Sequence, residues 1–321
     1  MSVLDRPPPR EGGTAAATEF RLLGPVRIRD AAGREVVPPG SKQRALLAAL
    51  VIHAGELLSA ERLTEELWGG ALPANAPNAL HAHVARLRRL LPARPGPAEG
   101  PEWITTLPSG YVLRLGTATT DVERFGRLSS EGRAQVASDP PRAARLLRRA
   151  LSLWHGPALQ DVGAGPICAR EADRLEEMRL CTLEMLHEAN LRLARHGEII
   201  GELERLTADH PLRERFYDLL MVALYRSGRQ AEALGVYERA RRCLVTALGI
   251  EPGPALRGRM EAILGHSPGL GVPGPCRPDG GVPDPGGEIA WLRRRVEELT
   301  REHERLARRL ESVAVRPPEP V

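Results

Sequence analysis

Three arginines, Arg86, Arg88 and Arg89, stand close together after His81 and His83, with Asn75 and Asn78 ahead of them. Residues 75–94 hold four arginines and no carboxylate. A guanidinium forks onto guanine or onto a phosphate, and an asparagine amide pairs with adenine. Leu80, Val84, Leu87 and Leu91 fall on one face at about 100° per residue. The opposite face then carries Asn75, Asn78, Ala82, Ala85, Arg86 and Arg89, with His81 and Arg88 flanking one side and His83 the other. Ala82 and Ala85 are small enough to let the backbone approach a groove and to touch a thymine methyl. A helix buried on one side and bare of carboxylates on the other suits a DNA duplex. An ordinary solvated face is the plainer reading of this helix taken alone.

Other chemistries find little support. Lys42 is the only lysine and follows Ser41, so no G-x-x-x-x-G-K-[ST] phosphate loop exists. Gly265-His266-Ser267-Pro268-Gly269 spells G-x-S-x-G, but a helical pattern precedes it and a Pro/Gly stretch follows, where a nucleophile elbow needs a strand and a helix. His81 and His83 are about 200° apart on a helix and cannot share a metal. Glu176-Glu177 and Glu297-Glu298 read as solvated helix charges. Cys168, Cys181, Cys243 and Cys276 form no C-x-x-C pair, and three fall in helical patterns as small buried thiols. No catalytic residue, metal site or cofactor is expected. The longest apolar run, Ala45–Ile52, is eight residues, far below the roughly 20 of a membrane span. With no secretion signal at the N-terminus, the expectation is a reduced, cytoplasmic, soluble protein with no membrane partner.

The elements that must hold the arginine face follow from the flanking sequence. Residues 1–18 are a Pro/Gly/Ala-rich tail. FRLLGPVRI (20–28) reads as one strand and EVV (35–37) as a second. Gly40-Ser41 opens an apolar helix, Ser59 caps a second, and Asn75 with Pro77 starts the third, which runs to Leu91. After a Pro/Gly loop, WITTLP, Ser109-Gly110 and YVLRL read as a hairpin with Ser109-Gly110 at its tip. Strands, three helices and a hairpin are the layout of a winged helix-turn-helix. Thr105, Thr106 and Tyr111 would offer hydroxyls to phosphate or sugar. Segment 20–115 carries 12 basic and 8 acidic residues, so its face must concentrate a mild charge.

From about 117 to 265 the pattern is helical. Ala143/Ala150 and Ala233/Ala240 repeat small residues seven apart, as in tetratricopeptide-like helix hairpins. Residues 266–286 form a Pro/Gly linker. Ile289, Leu292, Val296, Leu299, His303, Leu306, Leu310 and Val313 then alternate 3 and 4 apart, a coiled-coil seam within 287–314, followed by a tail at 315–321. β-Branched residues at two a positions with leucine at d favour a parallel pair of helices. An amphipathic helix folded onto its own domain is the alternative. The fold class expected is mainly α: an N-terminal α+β winged helix-turn-helix, 19–116; an all-α repeat domain, 117–265; and a C-terminal coiled-coil helix.

HVARLRRLL and ITTLPSGYVL resemble the recognition helix and wing of the OmpR-type winged helix. ALSLWHGPAL (150–159), HPLRERFYDLLMVALYRSGRQAEALGVYERARRCL (210–244) and LGIEPGPAL (248–256) resemble the bacterial transcriptional activation domain. Together they resemble the Streptomyces antibiotic regulatory protein family, single-chain activators of secondary-metabolite gene clusters. The resemblance implies binding to direct repeats near the −35 element and contact with RNA polymerase, including its sigma factor. It implies Asn78, His83, Arg86 and Arg89 in the major groove, with Arg88 beside them. The turn Trp68, Gly69, Gly70, Ala71, Leu72, Pro73 and Ala74 would touch polymerase. Lys42, Gln43 and Arg44 begin the first helix, where free N–H groups and a cation suit a phosphate. A homodimer or a tandem dimer on double-stranded promoter DNA is expected. The C-terminal heptad departs from the family's two-domain unit. A pure protein-interaction scaffold, with a winged helix that binds no DNA, is the rival reading.

Overall fold

A computed structural model describes residues 17–93, 102–163, 165–267 and 270. The tail to residue 16, most of the linker, the whole heptad seam and the segment after it lie outside the described residues.

The N-terminal strand reads as two. Phe20 and Ile28 are apolar at the right parity for one sheet face, but Gly24-Pro25 lies between them, and Gly24 takes φ 147°, open mainly to glycine. The chain therefore turns. β1 (Glu19–Arg21) pairs antiparallel with β2 (Arg27–Arg29), and Phe20 faces Ile28, both fully buried. β3 (Glu35–Val36) extends this sheet on the far side of β2. The outward residues form an ionic ladder: Arg21 bonds Glu19 and Glu35, and Arg27 bonds Glu35.

α1 (Ser41–Ile52) is apolar almost all round, and Ala45–Val51 are buried on every side. It forms the centre of the winged unit. β4 (Leu58–Ser59) leads into α2 (Ala60–Trp68), where the Ser59 side chain caps Arg62 N–H. α3 (Ala76–Leu90) begins at Asn75, whose side chain accepts from Asn78 N–H at 3.2 Å. β5 (Ile104–Leu107) and β6 (Gly110–Leu113) form the hairpin, and β4 adds to β6 in a sheet of order β4-β6-β5. Leu107 pairs with Gly110, so Pro108-Ser109 is the two-residue tip.

β7 (Thr119–Thr120) lies parallel beside β1 and completes a four-stranded sheet of order β3-β2-β1-β7. The stretch expected to be purely helical thus starts with a strand. Likewise Thr18, placed in the tail by its composition, is buried and accepts from Thr119 N–H.

Helices follow: α4 (Asp121–Gln135), α5 (Pro140–Leu151), α6 (Pro166–Arg192), α7 (His196–Asp209), α8 (Glu214–Arg226), α9 (Gln230–Leu248) and α10 (Pro254–Leu264). Thr120 and Glu123 form a reciprocal capping box on α4, and Asp139 caps α5 ahead of its prolines. α4 packs on α5, α7 on α8 and α8 on α9, as helix hairpins. Ala143, Ala150, Ala233 and Ala240 are all fully buried where helices meet. The folded body runs past 265 into the expected linker: Leu270 is buried in the α7–α10 core, and its carbonyl accepts from Arg226 Nε.

The winged unit and the helical domain share one core. Leu159 and Cys168 join the cluster built on Phe20, Leu46 and Leu87. The carboxylate of Asp121, at the start of α4, accepts the N–H groups of Leu22 and Leu23. The guanidinium of Arg44 in α1 donates to the Asp161 carbonyl.

Candidate nucleic-acid interface

α3 divides as its periodicity demands. Leu80, Val84 and Leu87 are buried against α1, α2 and the hairpin. Asn78, His81, Ala82, Ala85, Arg86 and Arg89 are exposed. Arg86 and Arg89 make no hydrogen bond or ion pair with any described residue. Their charges stay available to an outside anion. Arg88 and Arg89 also fall in the last turn, where the helix dipole favours cations.

Arg88 behaves differently. Its Nη2 donates to Thr106 Oγ1 at 2.8 Å and to the Ile104 carbonyl at 2.9 Å, and lies 3.7 Å from Glu102. Arg88 therefore ties the helix to the wing instead of projecting into a groove; exposed Thr106 accepts from it and keeps its own O–H to donate.

His83, expected in the groove, turns toward α1. Its Nδ1 lies 2.8 Å from Gln43 Nε2, which also reaches the His83 carbonyl at 3.3 Å. Its ring meets Trp68 edge to face at 5.6 Å. Burial, with help from the Arg86 and Lys42 charges, holds the His83 pKa below the ordinary histidine value. The neutral ring accepts from the Gln43 amide. Gln43 is itself buried, so it braces α1 against α3 and is closed to phosphate. Arg44 is likewise spent on the carbonyls of Asp161 and Pro38. Of the three residues expected to greet a phosphate at α1, only Lys42 is exposed, and its Nζ lies 5.3 Å from the centre of the Trp68 ring.

The wing also shifts. Gly110 is buried beside β4, and a Cβ there would overlap the Leu58 carbonyl oxygen. Gly110 is thus a close-approach glycine and not the tip; Pro108 takes its place beside exposed Ser109. Tyr111 is only 3% exposed, its ring against His81, and burial pushes its phenol pKa up. It supports the recognition helix from below. Thr105 is half-buried in β5.

The turn between α2 and α3 presents Gly69, Gly70, Ala71, Leu72 and Ala74 to solvent, with Pro73 half-buried. Leu72 is 60% exposed, a large apolar side chain at a loop tip. Trp68 closes α2 and packs inward on His83.

Nothing in the sequence singles out Glu66 from an ordinary helix charge. It is 3% exposed, and its carboxylate accepts from Ile167 N–H at 2.6 Å and Cys168 N–H at 3.1 Å, at the N-terminus of α6. Gly165 is required beside it, because a Cβ there would overlap the carboxyl group.

Residues 33–113 match the family of C-terminal domains of transcriptional regulatory proteins, and residues 120–264 match the bacterial transcriptional activator domain. The transcriptional regulator RedD of Streptomyces coelicolor is 43% identical over 79% of this chain and 73% of its own. The regulatory protein DnrI of Streptomyces peucetius is 38% identical over 80% of this chain and 96% of its own. The chain belongs to the Streptomyces antibiotic regulatory protein family. This regulator's described body also resembles a solved structure, Mycobacterium tuberculosis EmbR in complex with a low affinity phosphopeptide. The TM-score is 0.70 at 35% identity, covering 78% of this chain and 66% of that one. The antibiotic regulatory protein thus pairs an OmpR-type winged helix with an activator domain. Among its described residues no helix is long and apolar enough to cross a membrane.

Proposed function

We propose that this antibiotic regulatory protein is a sequence-specific activator that binds direct repeats near the −35 element of secondary-metabolite promoters and recruits RNA polymerase there. The observation that carries the reading is the pair of guanidiniums, Arg86 and Arg89, that pair with no described residue on the exposed face of a helix whose other face is buried. Asn78, Arg86 and Arg89 enter the major groove. Ser109 and Lys42 meet the backbone on either side. Arg88, Gln43, His83 and Tyr111 hold that surface in shape. Leu72 and its turn face the polymerase, sigma factor included. Head-to-tail binding of two copies sets the repeats about one helical turn, ~10–11 bp, apart. The regulator then works in the cytoplasm, on the nucleoid.

Fluorescence anisotropy on a promoter fragment of the surrounding gene cluster tests this. Binding through about six phosphates gives a log–log salt slope of roughly −5. A flat salt dependence, or no binding to any promoter of the cluster, contradicts the reading and favours a scaffold; equal affinity for scrambled DNA contradicts sequence-specific binding.

A further inference from the structure

Outside the arginine face, the helical domain carries an open groove of about 880 Å³ between α7 and α9, floored by Tyr217 of α8. α9 explains it. One stripe of this helix (Ala233, Val236, Tyr237, Ala240 and Leu244) is buried against its neighbours. A second stripe, Arg239, Cys243, Thr246 and Ala247, recurs at three- and four-residue spacing and lines the groove instead. Ala208 on α7 and Leu212 in the following loop form the opposite wall, and Leu212 is 45% exposed. The walls are mostly small or apolar, and the size lies within the roughly 300–1,000 Å³ of small-molecule sites.

The polar groups are few and of one dominant sign. Arg239 makes no hydrogen bond or ion pair with any described residue, and Arg242 has only a 3.4 Å contact from Nε to the Glu238 carbonyl. Nearby arginines are otherwise engaged: Arg241 with Glu251, Arg213 with Glu177 and Glu184. Glu204 is the one carboxylate among the lining residues. Two guanidiniums against one carboxylate leave an unmet positive charge over an apolar trough.

We propose that this groove binds a small amphipathic acid, its apolar body along Ala208, Leu212 and Ala247 and its anionic head on Arg239 and Arg242. Apolar contact supplies most of the affinity, and the guanidiniums select acids over alcohols of the same length. The site lies on the activator domain and stands independently of the DNA-binding reading.

8-Anilinonaphthalene-1-sulfonate, an aromatic body with a sulfonate, is the first probe, titrated into the full chain. Saturable one-site fluorescence is expected, displaced by dodecanoate at least tenfold more readily than by dodecanol. Arg239→Glu weakens it at least tenfold, and Ala247→Trp, which fills the groove, abolishes it, with far-UV circular dichroism unchanged. Should either variant fold poorly, amide shifts of the wild-type chain on adding dodecanoate decide the matter: Ala208, Thr246 and Ala247 must move together. Non-saturable fluorescence, equal displacement by dodecanol, binding that survives both substitutions, or shifts elsewhere overturns the proposal. So does displacement only by an acidic helical peptide, which makes the groove a protein-docking site.

Discussion

Glu66 of the winged unit receives the backbone N–H of Ile167 at 2.6 Å, about a hundred residues along the chain. A buried carboxylate on a helix N-terminus is favoured by the free N–H groups and by the dipole together. It lies two residues before Trp68, which packs on His83 of the recognition helix. The activator domain thereby grips α2, the helix packed against the one that presents the arginine face.

Removing that grip leaves two backbone donors unmet, the Cys168 N–H buried and the Ile167 N–H part-buried. Glu66→Ala is expected to lower stability by about 2–4 kcal/mol, with Glu66→Gln less harmful because its amide oxygen still accepts. Urea unfolding of both variants measures this. A loss within 0.5 kcal/mol of zero, roughly the level of a surface change, contradicts a buried clamp.

Arg86 and Arg88 are two residues apart yet do different work. Arg86→Ala is expected to weaken binding to the cognate repeat by about 1–3 kcal/mol while sparing random DNA. Arg88→Ala frees the wing, held at Ile104 and Thr106, from α3, so it weakens cognate and random binding alike and lowers the melting temperature. Competition binding on both DNAs, beside thermal melts, separates the two.

Burial pushes the Asp121 carboxyl up to about 6 from 3.8, despite the N–H groups it accepts. Folding therefore raises its proton affinity. The stability this contributes is full below 3.8 and is lost as pH climbs through about 6. Asp121→Asn does not titrate and still accepts a hydrogen bond. The variant is expected to gain on the wild type between about pH 4 and pH 6.5, then hold a constant offset. Parallel denaturation curves that show no change of offset with pH contradict this.

His83 accepts from Gln43 only while its Nδ1 is unprotonated. Its NMR titration midpoint is expected below 6.5, and Arg86→Gln raises it by removing a neighbouring charge. Because the folded pKa is depressed, stability from this brace is full above 6.5 and fades as pH falls through the lower midpoint. A midpoint at or above 6.5 means the ring is not held as described.

The recognition helix was legible because its leucines obey a helical period and its caps, Asn75 and Pro77, are local signals. The same holds for Ser59, Asp139 and the alanine pairs of the repeat. What failed was decided by distant partners. Phe20–Ile28 alternates like one strand, but Gly24-Pro25 turns the chain within it. Gly110 looked like a tip because glycine marks turns, but its reason is Leu58, some fifty residues earlier. Arg88, Gln43 and Arg44 looked free because carbonyl acceptors leave no trace in side-chain patterns. Glu66 leaves no trace in the sequence for the same cause: its partners are backbone amides. The heptad seam from Ile289 to Val313 lies outside the described residues, so a homodimer through it stays a proposal, tested by the solution mass of a chain ending at 286.

In the function proposed above, the exposed arginine face of α3 reads DNA bases. The direct measurement is anisotropy of the full chain and of Arg86→Ala on a cluster promoter and on its scrambled counterpart, across a salt series. A steep salt slope is expected for both proteins, with a preference for the promoter that shrinks at least fivefold in the variant. An unchanged preference, or none in the wild type, contradicts that role.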